Sequence, residues 1–596
     1  MRKFFISFLG SMAALWVTII IATLGLIVLI GAVSAASMSG NSSSLEVKKH
    51  SVLHLSTATD IVEHDPGTPG FAELISSDYK APVTLSKVVK AIEMAADDDN
   101  IEGLFIEAGP GATGAAQCNA IITAINRFKE SGKWVMAYGD TFNQSDYYIA
   151  SAADSIFLNP IGMVDIHGLS ATTLYYKGLL DKLGVKMNVV RVGTYKSAVE
   201  PFIREDMSEA SREQTEAFLG SMWSAMTKTI ADARHVTTAQ VNAWADSISA
   251  FRDVDYLRTS RVIDRALYRH DMDSVLVKAS GLNPSKDKEK EPRLISVAEY
   301  AMSNAAKQMP TPGAKHIAVL YAEGDIVDTG NKGISSEKLV PQIQELMQDD
   351  DVAGLILRVN SPGGSAFASE QIWEALSQFK SVTGKPFYVS MSNYAASGGY
   401  YISCCADRIY AEPLTITGSI GIFGMFPDAS TLVNDKLGVH SATVSTNPEG
   451  ELPSMIEPMT PRQQAALQNY VNRGYALFTK RVADGRKLPL DSVLKIAEGR
   501  VWDGATARRI GLVDKLGGLD QAIAEMAEKL EMKPDEIRAY PEVKNRWFYD
   551  ILAMSGSMEE RIMRHKLGAA YPLWQQVELM QRQSVLQARM EMGEPK

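Results

Sequence analysis

The chain has 596 residues, more than a single hydrophobic core accommodates, so at least two domains are expected. Its composition is that of an ordinary globular protein, which excludes a low-complexity or charge-extreme chain. The formal net charge of −10 is mild and argues against nucleic-acid binding. The spacing of Cys118, Cys404 and Cys405 suits neither a disulfide framework nor a zinc site, so we expect buried, small apolar side chains.

A long apolar segment follows the N-terminal sequence MRKFF. Residues 6–37 are apolar, and no charged residue occurs between Lys3 and Glu46. A cleavable signal peptide has an apolar region of about 7–15 residues, whereas a membrane-spanning helix needs about 20. The segment therefore predicts a transmembrane anchor within residues 1–45, although AVSAAS leaves a cleaved signal peptide as an alternative. Arg2 and Lys3 place the N-terminus in the cytoplasm, so the rest should face the bacterial periplasm, tethered to inner-membrane lipid.

The remaining sequence is internally duplicated. DDDNIEGLFIEAGPG from Asp97 matches DDDVAGLILRVNSPGG from Asp349, and SDYYIASAADSIFLNPIGMVDIHG from Ser145 matches GGYYISCCADRIYAEPLTITGSIG from Gly398. The order is the same in both halves and the offset stays near 251, so we predict two copies of one domain, at 46–310 and 311–540. Residues 541–596 show helical periodicity and predict a helical tail that covers the core, with membrane contact or oligomer packing as alternatives.

Each copy alternates short apolar runs with longer amphipathic patterns. In the second copy HIAVLYA, GLILRV, PFYVSM and RIYAE read as strands, and SEKLVPQIQELMQ and SEQIWEALSQF read as helices. This alternation predicts parallel strands joined by helical crossovers, which is an α/β fold.

The candidate chemistry lies in MSNYAASGGYYIS, residues 391–403, where Ser397 precedes two glycines. In an acyl-transfer site the carbonyl oxygen becomes negative and needs two donors. The N–H of Gly398 and that of Gly364, in RVNSPGGS, fit these roles. Either glycine pair alone could also be an ordinary turn. A phosphate-binding loop is a further reading, but the chain lacks G-x-x-x-x-G-K-[ST].

The internal repeat favours a specialised turn over a structural one. The first copy has Gln144 opposite Ser397, and Ser145 and Asp146 opposite the two glycines. If the fold required the serine and the glycines, both copies should carry them. Only the second copy does, which indicates that its turn serves chemistry.

A serine hydroxyl needs a base to become a nucleophile. No histidine lies in either matched turn of the second copy; His440 and His167 are read as ordinary packed or surface residues. Lys196, in VVRVGTYKSAVEPF, stands opposite Gly450, and a lysine can act as a base when burial keeps it neutral. Each copy thus carries what the other lacks, which predicts one site assembled across both copies. A solvated Lys196 is the alternative.

Together, VGTYKSAVEPF, SPGGS, NYAASGGYYIS and TITGSIG resemble the signal peptide peptidase A (protease IV) family in its long bacterial form. The resemblance implies tandem Clp-protease/crotonase-like domains and a serine-lysine endopeptidase that degrades released signal peptides. It also implies a homotetramer on the periplasmic face of the inner membrane. Carried over by position, Ser397 is the nucleophile, Lys196 the base, Gly364 and Gly398 the oxyanion donors, and Ser419 the hydroxyl that orients the lysine.

This chemistry requires no metal or other cofactor, and its substrates should be short, apolar, extended peptides. Two rival functions remain open from the sequence. One is a membrane-anchored scaffold whose peptidase site has decayed, as the first copy's has. The other is a crotonase-like acyl-CoA enzyme with the same oxyanion geometry, which the predicted export disfavours because acyl-CoA is cytosolic.

Overall fold

The computed structural model describes residues 47–65, 67, 81–111, 113–282, 291–308, 313–330, 333–451, 453–541, 566 and 587–590, with isolated positions between 10 and 25. The predicted anchor in residues 1–45 therefore lies outside the described residues, apart from those isolated positions. Within the described ranges, the structure contains no helix with both the length and the apolar character needed to cross a membrane.

The first copy is built on a parallel sheet with strand order β8-β6-β5-β4-β1-β9. Its described strands are β1 (Ser51–Ser56), β2 (Ile61–Val62), β3 (Val83–Thr84), β4 (Ile101–Glu107), β5 (Trp134–Phe142), β6 (Ser155–Val164), β7 (Lys186–Val192), β8 (Arg265–Ala266) and β9 (Arg293–Ser296). Its described α-helices are α1 (Leu85–Ala96), α2 (Ala115–Glu130), α3 (Gln144–Ala150), α4 (Lys177–Leu183), α5 (Glu200–Ile203), α6 (Glu209–Arg234), α7 (Thr238–Asp246), α8 (Val254–Thr259), α9 (Arg269–Ala279) and α10 (Val297–Gln308).

The second copy repeats this plan in the order β19-β17-β15-β13-β10-β21, with β19 antiparallel to β17, β16 paired to β15, and β20 paired to β16. The described strands of this half are β10 (His316–Glu323), β11 (Ile326–Val327), β12 (Ile334–Ser335), β13 (Val352–Ser361), β14 (Gly363–Ser365), β15 (Phe387–Ala396), β16 (Arg408–Ala411), β17 (Ile416–Gly418), β18 (Ile422–Asp428), β19 (Val501–Asp503), β20 (Lys515–Leu516), β21 (Ile537–Tyr540) and β22 (Gln587–Arg589). Its described α-helices are α11 (Ser336–Gln348), α12 (Ala366–Thr383), α13 (Gly398–Ser403), α14 (Pro461–Arg486), α15 (Leu490–Ile496), α16 (Gly504–Arg509) and α17 (Leu519–Leu530).

The local sequence explains these elements. In α1, Leu85, Val88 and Ile92 are buried at helical spacing, and the Thr84 hydroxyl caps the first turn by accepting from the Lys87 N–H. The central strand β13 is buried along nearly its whole length, as expected for a parallel strand covered on both faces. The predicted α/β class is confirmed, and the three cysteines are buried and free as expected.

A third sheet joins the two copies, in the order β12-β11-β14-β22-β18-β7. Strand β7 belongs to the first copy, yet it pairs antiparallel with β18 of the second, from Val192 opposite Ile422 to Lys186 opposite Asp428. The loop that follows β7 is thereby held against the second copy.

A buried ion pair also connects the copies. The Arg358 Nε atom lies 2.8 Å from Glu63 Oε2, and both side chains are at most 3% exposed. Gln117 and Ser392 donate further hydrogen bonds to the carboxylate. Burial acts to raise the pKa of Glu63, but the Arg358 charge and these hydrogen bonds outweigh it and lower that pKa. The pair therefore remains ionised inside the junction.

The C-terminal tail differs from its helical prediction at residues 587–589. Most of residues 541–596 lie outside the described residues, but Gln587–Arg589 form a β-strand rather than a helix. Strand β22 lies between β14 and β18, whose backbone groups provide pairing partners on both sides. Helical periodicity gave no sign of this, because a strand inserted in a sheet is stabilised by its neighbours.

Candidate active site

The turn after β15 places Ser397 at the N-terminus of helix α13. Ser397 has φ 56° and ψ −112°, a conformation that residues other than glycine rarely adopt. Its backbone N–H donates to the Gly418 carbonyl at 2.8 Å, which holds the strained turn in place. Such strain costs about 1–3 kcal/mol and is concentrated at functional sites.

A tight turn after β7 carries Lys196 towards the second copy. Tyr195 N–H donates to the Glu498 carbonyl at 2.9 Å, and the Thr194 hydroxyl donates to Glu498 Oε2 at 2.6 Å. Gly193 has φ 111°, and a Cβ there would lie 2.5 Å from the Glu498 carbonyl carbon. The lysine turn is thus held by a loop of the second copy.

The two predicted residues meet within one chain. Lys196 Nζ lies 2.7 Å from Ser397 Oγ, and both side chains are buried. Nζ also lies 3.1 Å from the Ser419 carbonyl oxygen and 3.0 Å from Ser419 Oγ. A neutral amine has two N–H groups and one lone pair. If the N–H groups donate to the two Ser419 oxygens, the lone pair is left to face the Ser397 hydroxyl.

The surroundings favour this neutral form. Lys196 is 1% exposed, and burial lowers its pKa well below the usual 10.5. In the part of the chain that the structure describes, no carboxylate forms an ion pair with Lys196 to counter this. An uncharged lysine in contact with a serine hydroxyl can act as a general base.

Of the predicted oxyanion glycines, Gly398 directly follows Ser397, and Gly364 directly follows Gly363, which packs against Gly398. Gly364 belongs to β14, and Gly398 opens α13. A Cβ on Gly363, whose φ is 102°, would lie 2.7 Å from the Gly398 nitrogen, so the glycine turn packs directly on the helix start. Only glycine fits at this approach.

In the corresponding turn of the first copy, the Gln144 side chain is hydrogen-bonded to the backbone of His167 and Gly168. Gln144 Nε2 donates to the Gly168 carbonyl at 2.8 Å, and Gln144 Oε1 accepts from the His167 and Gly168 N–H groups, both at 2.9 Å. His167 Nδ1 lies 2.9 Å from Asp165 Oδ1, and His440 is exposed. Among the described residues, neither histidine hydrogen-bonds to Ser397.

Two glycines that the sequence reading missed shape the lysine pocket. A Cβ on Gly499 would lie 2.7 Å from both the Cβ and the backbone N of Lys196. A Cβ on Gly421 would lie 3.2 Å from Lys196 Cδ. Comparison of the two copies could have pointed to Gly499, because a different residue stands at the corresponding position of the first copy. Helix α16 begins 250 residues after α8, which sets Ser249 of the first copy opposite Gly499.

Comparisons with known proteins bear on this geometry. A model of peptidase family S49 matches residues 127–271 and 380–533. The chain is 40% identical to Protease 4 of Salmonella typhi over 470 residues, 77% of this chain and 74% of that protein. It is 32% identical to a putative signal peptide peptidase SppA of Enterococcus faecium, over 44% of this chain and 78% of that one. A ClpP1 mutant structure from Listeria monocytogenes covers 34% of this chain and 92% of its own at 14% identity, with a TM-score of 0.23, too low to support an argument.

Proposed function

The chain belongs to peptidase family S49 and is a serine peptidase, and on this premise we propose that Ser397 and Lys196 are its catalytic dyad. The observation that carries the proposal is the 2.7 Å contact between Lys196 Nζ and Ser397 Oγ, made in a buried pocket that disfavours the charged amine. The restriction of each residue to one copy supports it as well, since the pairing of β7 with β18 and the Glu498 loop bring the two copies together at this point.

The geometry supports the following sequence of steps. Lys196 takes the hydroxyl proton while Ser397 Oγ attacks the peptide carbonyl carbon. The N–H groups of Gly364 and Gly398 stabilise the oxyanion, and losing one such donor typically costs about 10²–10³ in rate. The Lys196 ammonium then gives its proton to the leaving amine, and water hydrolyses the acyl-enzyme. Ser419 orients the amine through its carbonyl and hydroxyl oxygens.

The substrates that we propose are released signal peptides and other short, apolar, extended peptides. The name of the Enterococcus faecium relative, a putative signal peptide peptidase, and the motif resemblance support this class. We also propose a single-pass anchor in residues 1–45 with the catalytic copies on the periplasmic face of the inner membrane. The uncharged stretch 6–37 behind Arg2 and Lys3 supports it.

Two finer structural assignments belong to the same proposal. The repeated parallel sheets with helical crossovers support Clp-protease/crotonase-like domains in tandem. Assembly into a homotetramer rests on the motif resemblance.

A serine-directed fluorescent reporter tests the dyad in the full-length chain. We expect labelling of Ser397, identified by peptide mapping, and its loss in both Ser397→Ala and Lys196→Met. Two matched controls should label normally: Ser145→Ala, in the corresponding turn of the first copy, and Lys186→Met, an exposed lysine on β7. Labelling that survives in Lys196→Met refutes the assignment of the base.

The same variants separate the rival functions. A peptidase hydrolyses a signal-peptide substrate, and both dyad variants abolish that hydrolysis. A scaffold retains its cellular phenotype in both variants, and an acyl-CoA enzyme turns over thioesters without peptide cleavage. Either of those outcomes would exclude the proposed activity.

A further inference from the structure

The C-terminal strand β22 lies against the candidate active site. It runs antiparallel to the glycine strand β14, with Gly363 opposite Arg589 and Gly364 opposite Ala588. On its other side Gln587 pairs with Phe423 of β18. Ala588 is fully buried, and Gln587 and Met590 are nearly so. This short segment is therefore an extended peptide that is held by backbone pairing along both of its edges.

The pairing register identifies which carbonyl faces the glycines. Met590 N–H donates to the Pro362 carbonyl at 2.9 Å. Hydrogen-bonded pairs recur at every second residue in an antiparallel ladder, so Ala588 and Gly364 form the next such pair. The Ala588 oxygen also lies 3.0 Å from the position of a Cβ on Gly398. The Ala588 carbonyl thus sits between Gly364 and Gly398, whose N–H groups are the proposed oxyanion donors.

An acidic side chain meets the residue that follows this carbonyl. Arg589 Nη2 lies 3.3 Å from Asp325 Oδ2, and the two side chains are 13% and 27% exposed. Asp325 directly precedes Ile326, which pairs with Gly364, so its position is fixed relative to the oxyanion donors. A partly buried carboxylate at this point can discriminate between charges on a bound peptide.

We propose that Gln587–Met590 lies in the substrate groove in the register of a substrate, and that Asp325 selects a cationic side chain directly after the bond that is cut. The inference rests on the proposed peptidase function. In this register the bond presented to Ser397 is Ala588–Arg589. The acyl side ends in a small, fully buried residue, and the amine side begins with a cation on Asp325.

The chemical step is ordinary hydrolysis. Ser397 Oγ forms an ester with the alanyl carbonyl carbon as the C–N bond to the arginine breaks. The arginine amine leaves with the proton that Lys196 carries. Water then releases the alanyl carboxylate and restores the serine hydroxyl.

Synthetic peptides test the proposal with the full-length enzyme. The first peptide is SVLQARMEM, which is residues 584–592, and its partners carry glutamate or methionine in place of the arginine. Mass spectrometry should show cleavage of the first peptide between alanine and arginine. We expect kcat/KM to be higher for arginine than for glutamate by roughly fivefold, the scale of a partly buried ion pair.

Variants of the acid give the decisive comparison. Asp325→Asn should level the ratio between the arginine and glutamate peptides, and Asp325→Lys should reverse it. Asp350→Asn, an exposed acid in the turn before β13, is the matched control and should keep the wild-type ratio. Reporter labelling of Ser397 in each variant gives the concentration of intact sites, so a poorly folded variant does not affect the ratio.

The failures of the two proposals are distinguishable. Cleavage at another bond, or an arginine-to-glutamate ratio that Asp325→Asn and Asp325→Lys leave unchanged, overturns this inference while the peptidase assignment stands. If none of the peptides is cleaved and Ser397 does not label, the peptidase assignment itself fails.

Discussion

Replacement of Gly499 by alanine should damage catalysis without adding any atom to a reacting group. Gly499 has φ 76°, and the new Cβ would lie 2.7 Å from the Lys196 N and Cβ and 2.8 Å from its Cα. Ordinary contact begins at 3.4 Å, so the lysine backbone must retreat by about 0.7 Å. Nζ lies only 2.7 Å from Ser397 Oγ, and a misplacement of that order typically costs about one to two orders of magnitude in rate.

The stability loss that backbone strain causes in Gly499→Ala has to be separated from the loss that crowding against Lys196 causes. An alanine in the left-handed region costs about 1–2 kcal/mol wherever it occurs. Gly384, the C-cap of α12, has φ 65° and nothing within 4 Å of its would-be Cβ, so Gly384→Ala carries the strain alone. Crowding against packed backbone should add about 1–3 kcal/mol to the loss in Gly499→Ala.

The assay combines kcat/KM on a signal-peptide substrate with urea unfolding of each variant. Gly384→Ala should lose stability and keep nearly full activity per folded molecule. Gly499→Ala should lose more stability, and its activity should fall about 10- to 100-fold. Equal activities in the two variants would falsify the claim that Gly499 positions the lysine.

Three further predictions concern buried charge. Burial lowers the pKa of Lys196, so the stability of the wild-type protein falls as the pH drops below the ordinary lysine pKa. Urea unfolding should therefore show that Lys196→Met is more stable than the wild type at pH 7. An equal advantage of Lys196→Met at pH 10 would contradict this. Arg358→Met leaves the Glu63 carboxylate buried without its ion-pair partner and should lower the unfolding free energy by about 3–5 kcal/mol. Adding Glu63→Gln in a double variant should restore part of this loss. A loss below about 1 kcal/mol in Arg358→Met is inconsistent with a buried ion pair. Burial raises the pKa of Glu412 to about 7, so the contribution of this group to folding stability is lost as the pH rises from 5 to 8. Glu412→Gln should therefore reduce the fall of the melting temperature over this pH range. Parallel melting-temperature profiles for the two proteins would contradict the raised pKa.

The sequence was sufficient for those features that local pattern determines. Alternating apolar runs and amphipathic stretches identified the α/β copies, because strand and helix periodicities are properties of short segments. Comparison of the two copies identified Ser397, which stands opposite Gln144, and Lys196, which stands opposite Gly450. Ser397 and Lys196 lie together at the candidate site. Their catalytic roles remain predictions that the labelling experiment addresses.

Features that depend on distant segments were not predictable in this way. The pairing of β7 with β18 joins strands more than 200 residues apart, and no local signal names a strand's partner. No local pattern links Glu63 to Arg358, which lie 295 residues apart in the sequence until the fold buries them together. The strand at Gln587–Arg589 depends on edges supplied by β14 and β18, so its own periodicity was misleading.

The junction between β7 and β18 has a consequence for biosynthesis. The half that carries the amine leaves the ribosome first and holds no reactive alcohol, and the half that carries the alcohol arrives with no base. On the proposed dyad, a nascent chain is therefore inert towards its neighbours until both halves have folded and docked. On that dyad, latency is a consequence of the order of assembly.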